Sequence, residues 1–406
     1  MSYVFVSGWL RGKGRGGIGI FRFDSACGSM ELQETIDEEL SFGSSVMNSD
    51  KGVLYALCNK PQDVGLKVPS GGAVYELHLD KATGRITEKR IIPIYISTPC
   101  NLSLTRDRRF LVICGHGTRN YVSRIVKGAD GEYYPEIICD DVPILLMPVD
   151  ENGYLGKILD VVYHEGSGLL AKQQTAHPHC VPQSPLADFF VVCDKGLDSI
   201  FSYSVDASSG KLIRNGDPIF TGTAVCPRYA AFHPTLPYVY HNSETSTDVY
   251  AYKYDEHGFL TPLGVTRGAV FEGDEINDKR GEDEWSLVQR GPGGQLPGPG
   301  KEQFTEGQGL DVHPSGKFLY NVTNGTNTVD VFALGDDGSL KLIQSAHADY
   351  AWPRGQFITP DGKFLLLSCS VGGKILAFNI GGDGKLSPAG NEIDFENAEC
   401  MTLWDC

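Results

Sequence analysis

Imidazole, guanidinium and carboxylate side chains recur in this sequence at two fixed distances from a repeated turn motif. Six residues before the turn proline, or the residue that takes its place, the chain carries Gly43, Cys100, His179, Arg228, Gln308 and Arg354. Ten residues after the same reference it carries Asn59, His116, Lys195, Glu244, Asn324 and Ser370. The two series together hold three permanent cations, two histidines and one carboxylate, which is typical of a catalytic pocket that binds an anion.

The turn motif consists of an apolar run, a turn similar to Pro-Asp-Gly-Lys, and a second apolar run. Its copies lie at 356–367, 310–320 and 231–240, with weaker ones around 185–188, 106–109 and 49–52. Proline presets φ for the first turn position and Asp-Gly supplies the tight corner, so each copy predicts a β-hairpin. A further strand with alternating apolar and polar residues follows the hairpins, as residues 200–206 illustrate. His233 and His313 immediately precede turn prolines and are interpreted as turn residues.

These units predict an all-β protein, a seven-bladed β-propeller of four-stranded antiparallel blades that forms a single domain over residues 1–406. The strands at Tyr3–Ser7 and Ile18–Asp24 supply the seventh blade, which strand material from the C-terminus completes. A propeller directs the inner ends of its blades to one central pocket, so the two series of side chains should meet there. Insertions are predicted near 121–165 and 268–305, the latter either a solvated loop or a lid.

Charge and cysteine usage exclude several classes of function. The chain has 51 acidic and 35 basic residues, a formal charge of -16, which disfavours nucleic acid and anionic membranes as partners. Its 11 cysteines include no Cys-x-x-Cys pair, so a zinc ribbon or a thioredoxin-like site has no support. Because no secretory signal and no run of about 18 apolar residues is present, we expect a cytoplasmic protein with reduced thiols. A closed ring with an acidic surface favours a monomer.

Three segments carry a resemblance to a known family. They are His-Pro-His-Cys-Val at 177–181, Cys-Pro-Arg-Tyr-Ala-Ala-Phe-His-Pro at 226–234 and Trp-Pro-Arg-Gly-Gln-Phe at 352–357. In these segments, and over nearly its whole length, the chain resembles the seven-bladed propeller lactonase family. That family includes bacterial 6-phosphogluconolactonases and fungal 3-carboxy-cis,cis-muconate lactonizing enzymes. The resemblance implies a sugar-lactone hydrolase or a cycloisomerase that works without a redox cofactor on a small anionic sugar lactone or sugar acid.

The resemblance also implies roles for four catalytic residues. His179 matches the family's active-site histidine, Arg228 and Arg354 match two of its arginines, and Glu244 matches its carboxylate. Lactone hydrolysis needs a base to activate water, and histidine titrates in a suitable range, so His179 is assigned that role. Glu244 is expected to orient His179 or to share the proton transfer. Arg228 and Arg354 are expected to polarise the lactone carbonyl and to hold a carboxylate or phosphate.

The chain departs from the family pattern at three positions around the ring. A further family arginine falls on Asn324, a family glutamine falls on Ser370, and Lys195 brings a cation where the family usually has an apolar residue. The anionic group of the substrate is therefore expected to bind differently here. The predicted substrate-binding residues are Lys195, His116, Gln308, Asn324, Ser370 and His177.

Other functions are compatible with some of the same residues. The same catalytic residues could also act in the direction of ring closure. They would then add a carboxyl group of an unsaturated di- or tricarboxylic acid to its double bond, which is the cycloisomerase reaction. A propeller can also serve as a non-catalytic docking platform. His177, His179 and Glu244 are possible metal ligands. However, His177 and His179 point to the same face only if their strand is regular, and the sequence supplies no convincing third ligand, so no metal is predicted. The glycine-rich segment 11–17 lacks the Gly-Lys-Ser/Thr ending of a phosphate-binding loop.

Overall fold

Each unit of the repeat folds as an antiparallel sheet, because its apolar residues alternate along strands that tight turns connect. The structure is a computed structural model that describes residues 2–10, 14–59, 71–117, 121–140, 142–269, 306–350 and 352–405. Within those ranges the strands form seven sheets of four or five strands and one two-stranded sheet. The predicted all-β propeller with seven blades is confirmed.

The strands are, in chain order, β1 (Ser2–Gly8), β2 (Gly17–Asp24), β3 (Ser29–Ile36), β4 (Phe42–Asn48), β5 (Val53–Cys58), β6 (Ala73–Leu79), β7 (Ile86–Pro93), β8 (Pro99–Leu104), β9 (Phe110–Gly115), β10 (Tyr121–Lys127), β11 (Tyr133–Cys139), β12 (Ile144–Pro148), β13 (Asp160–Val162), β14 (Pro178–Cys180), β15 (Phe190–Asp194), β16 (Ser199–Asp206), β17 (Lys211–Arg214), β18 (Ile219–Phe220), β19 (Pro227–Phe232), β20 (Tyr238–Ser243), β21 (Val249–Tyr254), β22 (Leu260–Thr266), β23 (Glu306–Val312), β24 (Phe318–Asn324), β25 (Thr328–Leu334), β26 (Leu340–His347), β27 (Pro353–Ile358), β28 (Phe364–Cys369), β29 (Lys374–Ile380), β30 (Leu386–Asp394) and β31 (Ala398–Asp405).

The blades follow one another around a closed ring. From the innermost strand outward, blade 1 is β4 to β7, blade 2 is β8, β9, β12 and β13, blade 3 is β14 to β17 with β18 also on β16, blade 4 is β19 to β22, blade 5 is β23 to β26, blade 6 is β27 to β30, and blade 7 is β31, β1, β2 and β3. The innermost strands of neighbouring blades contact one another all the way round, and β31 meets β4 where the ring closes. Apolar side chains packed between adjacent sheets form the core.

Both ends of the chain build blade 7. The C-terminal strand β31 is its innermost strand and pairs with β1 from Ser2 opposite Asp405 to Ser7 opposite Cys400. The prediction that C-terminal strand material completes the N-terminal blade is therefore confirmed. Trp404 is 1% exposed and packs against Tyr3, with ring centroids 6.3 Å apart. This contact joins the two ends of the chain inside the hydrophobic core.

Truncation of Trp404 should weaken the closure of the ring. We expect Trp404→Ala to lower the free energy of unfolding by about 3–5 kcal/mol, because it removes a fully buried aromatic side chain and leaves a cavity. Phe259→Ala is the control, since Phe259 is 52% exposed and its loss should change that free energy by less than about 0.5 kcal/mol. Urea unfolding of both variants measures the difference. If Trp404→Ala were as stable as Phe259→Ala, the Trp404 side chain would not contribute to the closure of the ring by β31.

The predicted insertion at 121–165 is narrower than the sequence suggested. Only β10 and β11 stand outside the blade pattern, because they pair with each other and with no other described strand. Residues 144–148 and 160–162 are strands of blade 2. Of the second predicted insertion, residues 270–305 lie outside the described residues, and so does the lid that the sequence placed there.

His233 and His313 lie in the turns between the first and second strands of blades 4 and 5, as predicted. His233 Nε2 is 2.8 Å from the carbonyl oxygen of Gly316, and His313 Nε2 is 2.9 Å from that of Gly362. Each glycine belongs to the equivalent turn of the next blade. Gly316 has a φ of 72°, and a Cβ there would lie 2.4 Å from the His233 ring. These turns therefore connect neighbouring blades, and they require glycine.

Two further observations bear on the sequence predictions. In the described part of the chain, no helix is long and apolar enough to cross a membrane. No disulfide bond joins any of the ten cysteines among the described residues.

Candidate active site

One extra residue interrupts the innermost strand of every blade near its first residues. The pairing with the second strand shifts between Phe42 and Ser45, Pro99 and Asn101, Pro178 and Cys180, Pro227 and Ala230, Gly307 and Leu310, Pro353 and Gln356, and Ala398 and Cys400. A β-bulge leaves its extra residue out of the ladder and redirects the side chain. All six residues of the first series, from Gly43 to Arg354, lie in these bulges. The shared spacing in the sequence therefore reflects a shared backbone irregularity.

The second series lies beside the first because of one recurring backbone hydrogen bond. The residue that follows the second strand donates its N–H to the carbonyl of the residue two positions before the bulge. These bonds run from Asn59 to Ser41, His116 to Thr98, Lys195 to His177, Glu244 to Cys226, Ser370 to Trp352 and, in blade 7, Trp9 to Asn397. In blade 5 Asn324 pairs with Glu306 at the end of the ladder. Both predicted series therefore meet at one end of the ring.

Backbone strain is concentrated at this rim. Four of the residues that lie two positions before a bulge have positive φ, namely Thr98 at 53°, Cys226 at 49°, Trp352 at 64° and Asn397 at 57°. A non-glycine residue in this region costs of order 1–3 kcal/mol, and such residues cluster at functional sites. The strain marks the same end of the ring as the two series of polar side chains.

Cations surround the Glu244 carboxylate. Its Oε2 contacts Lys195 Nζ and lies 3.1 Å from Arg228 Nε, and its Oε1 lies 3.2 Å from Lys172 Nζ. All four side chains are buried or nearly so. Burial by itself raises the pKa of Glu244, but the attraction of Lys195, Lys172 and Arg228 outweighs burial and holds that pKa well below its usual value. Glu244 is therefore a permanent anion that holds the three cations together.

His179 extends from the bulge of blade 3 between two other rings. Its centroid lies 5.6 Å from that of His116 and 5.0 Å from that of Tyr229, and both contacts are edge-on. Burial, and then the positive charges of Arg228 and Lys195, lower the pKa of His179 well below 6.5. The imidazole is therefore neutral near pH 7, the form that accepts a proton. Among the described residues its Nδ1 has no hydrogen-bond partner, so Glu244 acts on it through its charge only.

His116 connects the histidine group to the cation cluster. Its Nε2 lies 3.0 Å from Lys195 Nζ, and its Nδ1 lies 3.1 Å from the Gly117 carbonyl oxygen. This arrangement fits a neutral ring that donates from Nδ1 and accepts the lysine proton at Nε2. The His177 ring stacks on His116 with a centroid separation of 5.2 Å, and His177 Nδ1 lies 2.6 Å from the His116 carbonyl oxygen.

The two predicted catalytic arginines have different surroundings. Arg228 is 4% exposed and donates to the Gly307 carbonyl at 2.9 Å and to the Gln308 side chain, besides its contact with Glu244. Arg354 is more open, with 23% of its side chain exposed, and its Nε contacts Glu399. Arg354 and Glu399 line a central cavity of about 290 Å³ together with His179 and Tyr229. Arg354 is therefore the predicted arginine that faces the cavity.

The remaining predicted residues lie at the same rim. Gln308 accepts from Arg228 and donates from Nε2 to Glu306 at 2.8 Å. In the described part of the chain, Asn324 Nδ2 and Ser370 Oγ have no hydrogen-bond partner. One network thus joins His116, His177, Lys195, Glu244, Arg228 and Gln308, a second joins Arg354 to Glu399, and Asn324 and Ser370 belong to neither. Within the described ranges, no group of three or more histidine, cysteine, aspartate or glutamate side chains is arranged to hold a metal ion.

Sequence reasoning missed Glu399, Lys172 and Tyr229. Glu399 is the bulge residue of blade 7, and it follows Arg354 by a blade-length spacing that was a usable signal. No turn motif follows β31, so the reference proline is missing there. Lys172 lies in the 3-10 turn Ala171–Gln173 between blades 2 and 3, outside the repeat. Tyr229 follows Arg228 and reads as an ordinary apolar strand residue.

Comparison with known proteins identifies a family model and several relatives that match this chain. A family model described as lactonase, seven-bladed β-propeller, matches residues 4–403. The 6-phosphogluconolactonase of Bacillus subtilis is 25% identical over 314 residues, which is 77% of this chain and 74% of that protein. The 6-phosphogluconolactonase of Formosa agariphila is 23% identical over 408 residues and 99% of both chains.

Solved structures share the fold over the whole chain. The periplasmic gluconolactonase PpgL of Pseudomonas aeruginosa has a TM-score of 0.78 at 18% identity, covering 100% of this chain and 99% of that one. A putative 6-phosphogluconolactonase of Bacteroides fragilis has a TM-score of 0.77 at 19% identity, covering 100% and 98%. At these identities the likeness concerns the fold alone.

Proposed function

Because the chain belongs to the seven-bladed β-propeller lactonase family, we propose that it hydrolyses the ring ester of a sugar lactone. The observation that carries this proposal is the neutral imidazole of His179 in the wall of the same cavity as the Arg354 guanidinium. A base and a permanent cation around one cavity are the two groups that ester hydrolysis requires. The names of the relatives, 6-phosphogluconolactonase and gluconolactonase, support a sugar lactone as the substrate.

In the proposed reaction His179 removes a proton from water as the water oxygen attacks the lactone carbonyl carbon. The low pKa of His179 keeps the ring neutral, so the base is ready at neutral pH. The carbonyl oxygen becomes an oxyanion in the tetrahedral intermediate. Breaking the ring C–O bond then returns the proton from His179 to the ring oxygen, and the product is the open-chain hydroxy acid.

Arg354 stabilises the oxyanion in this mechanism because its guanidinium faces the cavity. Arg228 acts from behind the site: its contacts with Glu244, Gly307 and Gln308 fix its position, and its charge lowers the pKa of His179. Glu244 holds Lys172, Lys195 and Arg228 together and is a positioning residue. This assignment replaces the expectation that Glu244 orients His179 or shares the proton transfer, since among the described residues no hydrogen bond joins Glu244 to His179 Nδ1.

The other predicted residues complete the proposed site. Lys195 and His116 are assigned to an anionic substituent of the substrate, because Lys195 is a permanent cation at the rim and its Nζ lies 3.0 Å from His116 Nε2. Asn324 and Ser370 offer amide and hydroxyl groups for hydrogen bonds to the sugar. Gln308 and His177 fix the positions of Arg228 and His116. A cytoplasmic location and a monomeric state stay predictions, and one structural relative is named as periplasmic.

An assay of the purified protein tests the proposal. We expect it to accelerate the hydrolysis of 6-phosphogluconolactone or glucono-1,5-lactone, with the released acid followed by pH indicator. Arg354→Ala should reduce kcat by roughly 100- to 1,000-fold, as the loss of one oxyanion donor does elsewhere. The control is Arg214→Ala, since Arg214 is 51% exposed on blade 3. Cyclisation of a muconate-type acid in place of hydrolysis would favour the cycloisomerase, and inactivity towards both classes would favour a docking platform.

A further inference from the structure

The central cavity is also lined by side chains to which the proposed mechanism gives no role. They are neutral polar or acidic, namely Ser44, Asn101, Ser103, Asp311, Gln356 and Glu399. They come from the innermost strands of blades 1, 2, 5, 6 and 7. Such a wall offers many hydrogen-bond donors and acceptors, so it suits an uncharged ligand that carries several hydroxyl groups.

Asp311 differs from the other acidic residue of this wall. Glu399 has the guanidinium of Arg354 against it, whereas Asp311 forms no ion pair with any described residue. Gln356 of blade 6 is the polar side chain that acts on the pKa of the Asp311 carboxyl, and its Nε2 donates to the Tyr320 carbonyl oxygen at 2.8 Å. Asp311 is half-buried and lines the cavity.

A carboxyl group in this position is costly for the fold. Burial raises the pKa of Asp311 to about 7, because no ion pair with a described residue compensates for the loss of water. The titratable groups that line the same cavity lie on four other strands: Tyr229 on β19, Arg354 on β27, Glu399 and Cys400 on β31, and His179 on β14. Strongly perturbed carboxyls in a cavity wall are candidates for a functional role.

We propose that Asp311 binds a hydroxyl group of the substrate and makes the site selective for polyhydroxylated lactones. The inference rests on the proposed function, and it adds which side of the cavity the hydroxyl groups of the substrate contact. The lactone carbonyl lies at His179 and Arg354, and the hydroxylated carbons point towards Asp311, Gln356 and Asn101. A carboxylated lactone or a tricarboxylic acid in this orientation would bring its anionic groups to Asp311 and Glu399, so the site discriminates against it.

The test compares glucono-1,5-lactone with δ-valerolactone, which has the same ring and no hydroxyl groups. We expect Asp311→Asn to lower kcat/KM for glucono-1,5-lactone by roughly 10- to 100-fold, because the neutral amide cannot replace a hydrogen bond from the substrate hydroxyl to a charged carboxylate, and hydrogen bonds to charged groups contribute about this much. The value for δ-valerolactone should change by less than about 3-fold, since that substrate makes no hydroxyl contact. The control is Asp188→Asn, which alters a carboxylate that is 79% exposed.

Thermal unfolding separates this role from a structural one. The folded-state pKa of Asp311, about 7, lies above its unfolded value near 3.8, so its contribution to stability is lost as the pH rises from about 4 to 7. Asp311→Asn lacks this loss, and we expect its melting temperature to exceed that of the wild type at pH 8 by more than at pH 5. A binding residue predicts lower selectivity together with higher stability, whereas a structural residue predicts lower stability.

Each outcome decides the inference. An unchanged ratio between the two lactones in Asp311→Asn overturns it, and so does a parallel loss on both lactones with a lower melting temperature. Failure of the proposed function is distinguishable, because the wild type would then hydrolyse neither lactone. In that case calorimetric binding of gluconate is compared between wild type and Asp311→Asn. At least 10-fold weaker binding by the variant supports the hydroxyl contact, and equal affinity or no binding by the wild type rejects it.

Discussion

Replacement of His179 by asparagine is expected to reduce kcat/KM for a sugar lactone by roughly 100- to 10,000-fold, the range that removal of a general base produces. Asparagine keeps a polar group in the bulge of blade 3 but accepts no proton from water. The free energy of unfolding should change by less than about 2 kcal/mol, because the ring Nδ1 has no hydrogen-bond partner to lose among the described residues. Steady-state kinetics and urea unfolding measure the two effects.

The pH dependence of the wild type gives an independent check on His179. Burial and the charges of Arg228 and Lys195 lower its pKa well below 6.5, so the neutral base persists on the acid side of that value. With δ-valerolactone, whose hydrolysis does not depend on Asp311, the rate should therefore stay nearly constant from pH 8 down to pH 6. His257→Asn, which alters a histidine 70% exposed at the surface, is the matched control and should behave as the wild type. Full activity of the His179→Asn variant would show that His179 is not the general base.

Replacement of Glu244 by glutamine is expected to lower both the stability and the activity of the protein. The carboxylate contacts Lys195, Lys172 and Arg228 in a buried cluster, and the neutral amide would leave these cations facing one another. Removing one partner of a buried ion pair costs about 3–5 kcal/mol. Activity should fall as well, because Arg228 and Lys195 would lose the contact that fixes their positions. Urea unfolding at pH 7 measures the loss of stability.

Acidification should reduce the difference between Glu244→Gln and the wild type. The pKa of Glu244 is depressed in the fold, so its contribution is present above its ordinary value of about 4.5 and is lost as the pH falls further. Glu256→Gln, at a side chain 86% exposed, is the control and should leave stability unchanged. A second change, Lys195→Met, should restore part of the stability that Glu244→Gln loses, because it removes one of the mutually repelling charges. A wild-type free energy of unfolding in Glu244→Gln would show that the cluster does not contribute to the fold.

The fold and most of the rim were predictable because both follow from the repeat. Proline and glycine define the turn, and alternating apolar residues define the strands around it. The bulge falls at a constant distance from that turn, so His179, Arg228 and Arg354 could be located without any coordinates. The prediction ended where the repeat ended: Glu399 has no turn after its strand, and Lys172 belongs to a connection between blades.

The partners of each charge could not be predicted from spacing. Arg228 and Arg354 occupy equivalent positions in blades 4 and 6, but one is enclosed by Glu244, Gly307 and Gln308 while the other faces the cavity. That difference depends on which side chain the neighbouring blade presents, and neighbouring blades are far apart in the sequence. Asp311 was overlooked for the same reason, since the cavity that it lines is completed by residues of other blades, Gln356 of the next blade among them.

The seven bulges have a consequence for how such an enzyme changes its substrate over time. A side chain outside the ladder contributes little to strand pairing, so mutation can exchange it while the backbone of the blade is preserved. The seven equivalent bulge positions around one axis can then hold histidine, arginine, glutamate, glutamine, cysteine or glycine in different orders. A new substrate preference can arise when a charged residue is lost at one bulge position and gained at the next, while the ring and its core stay the same.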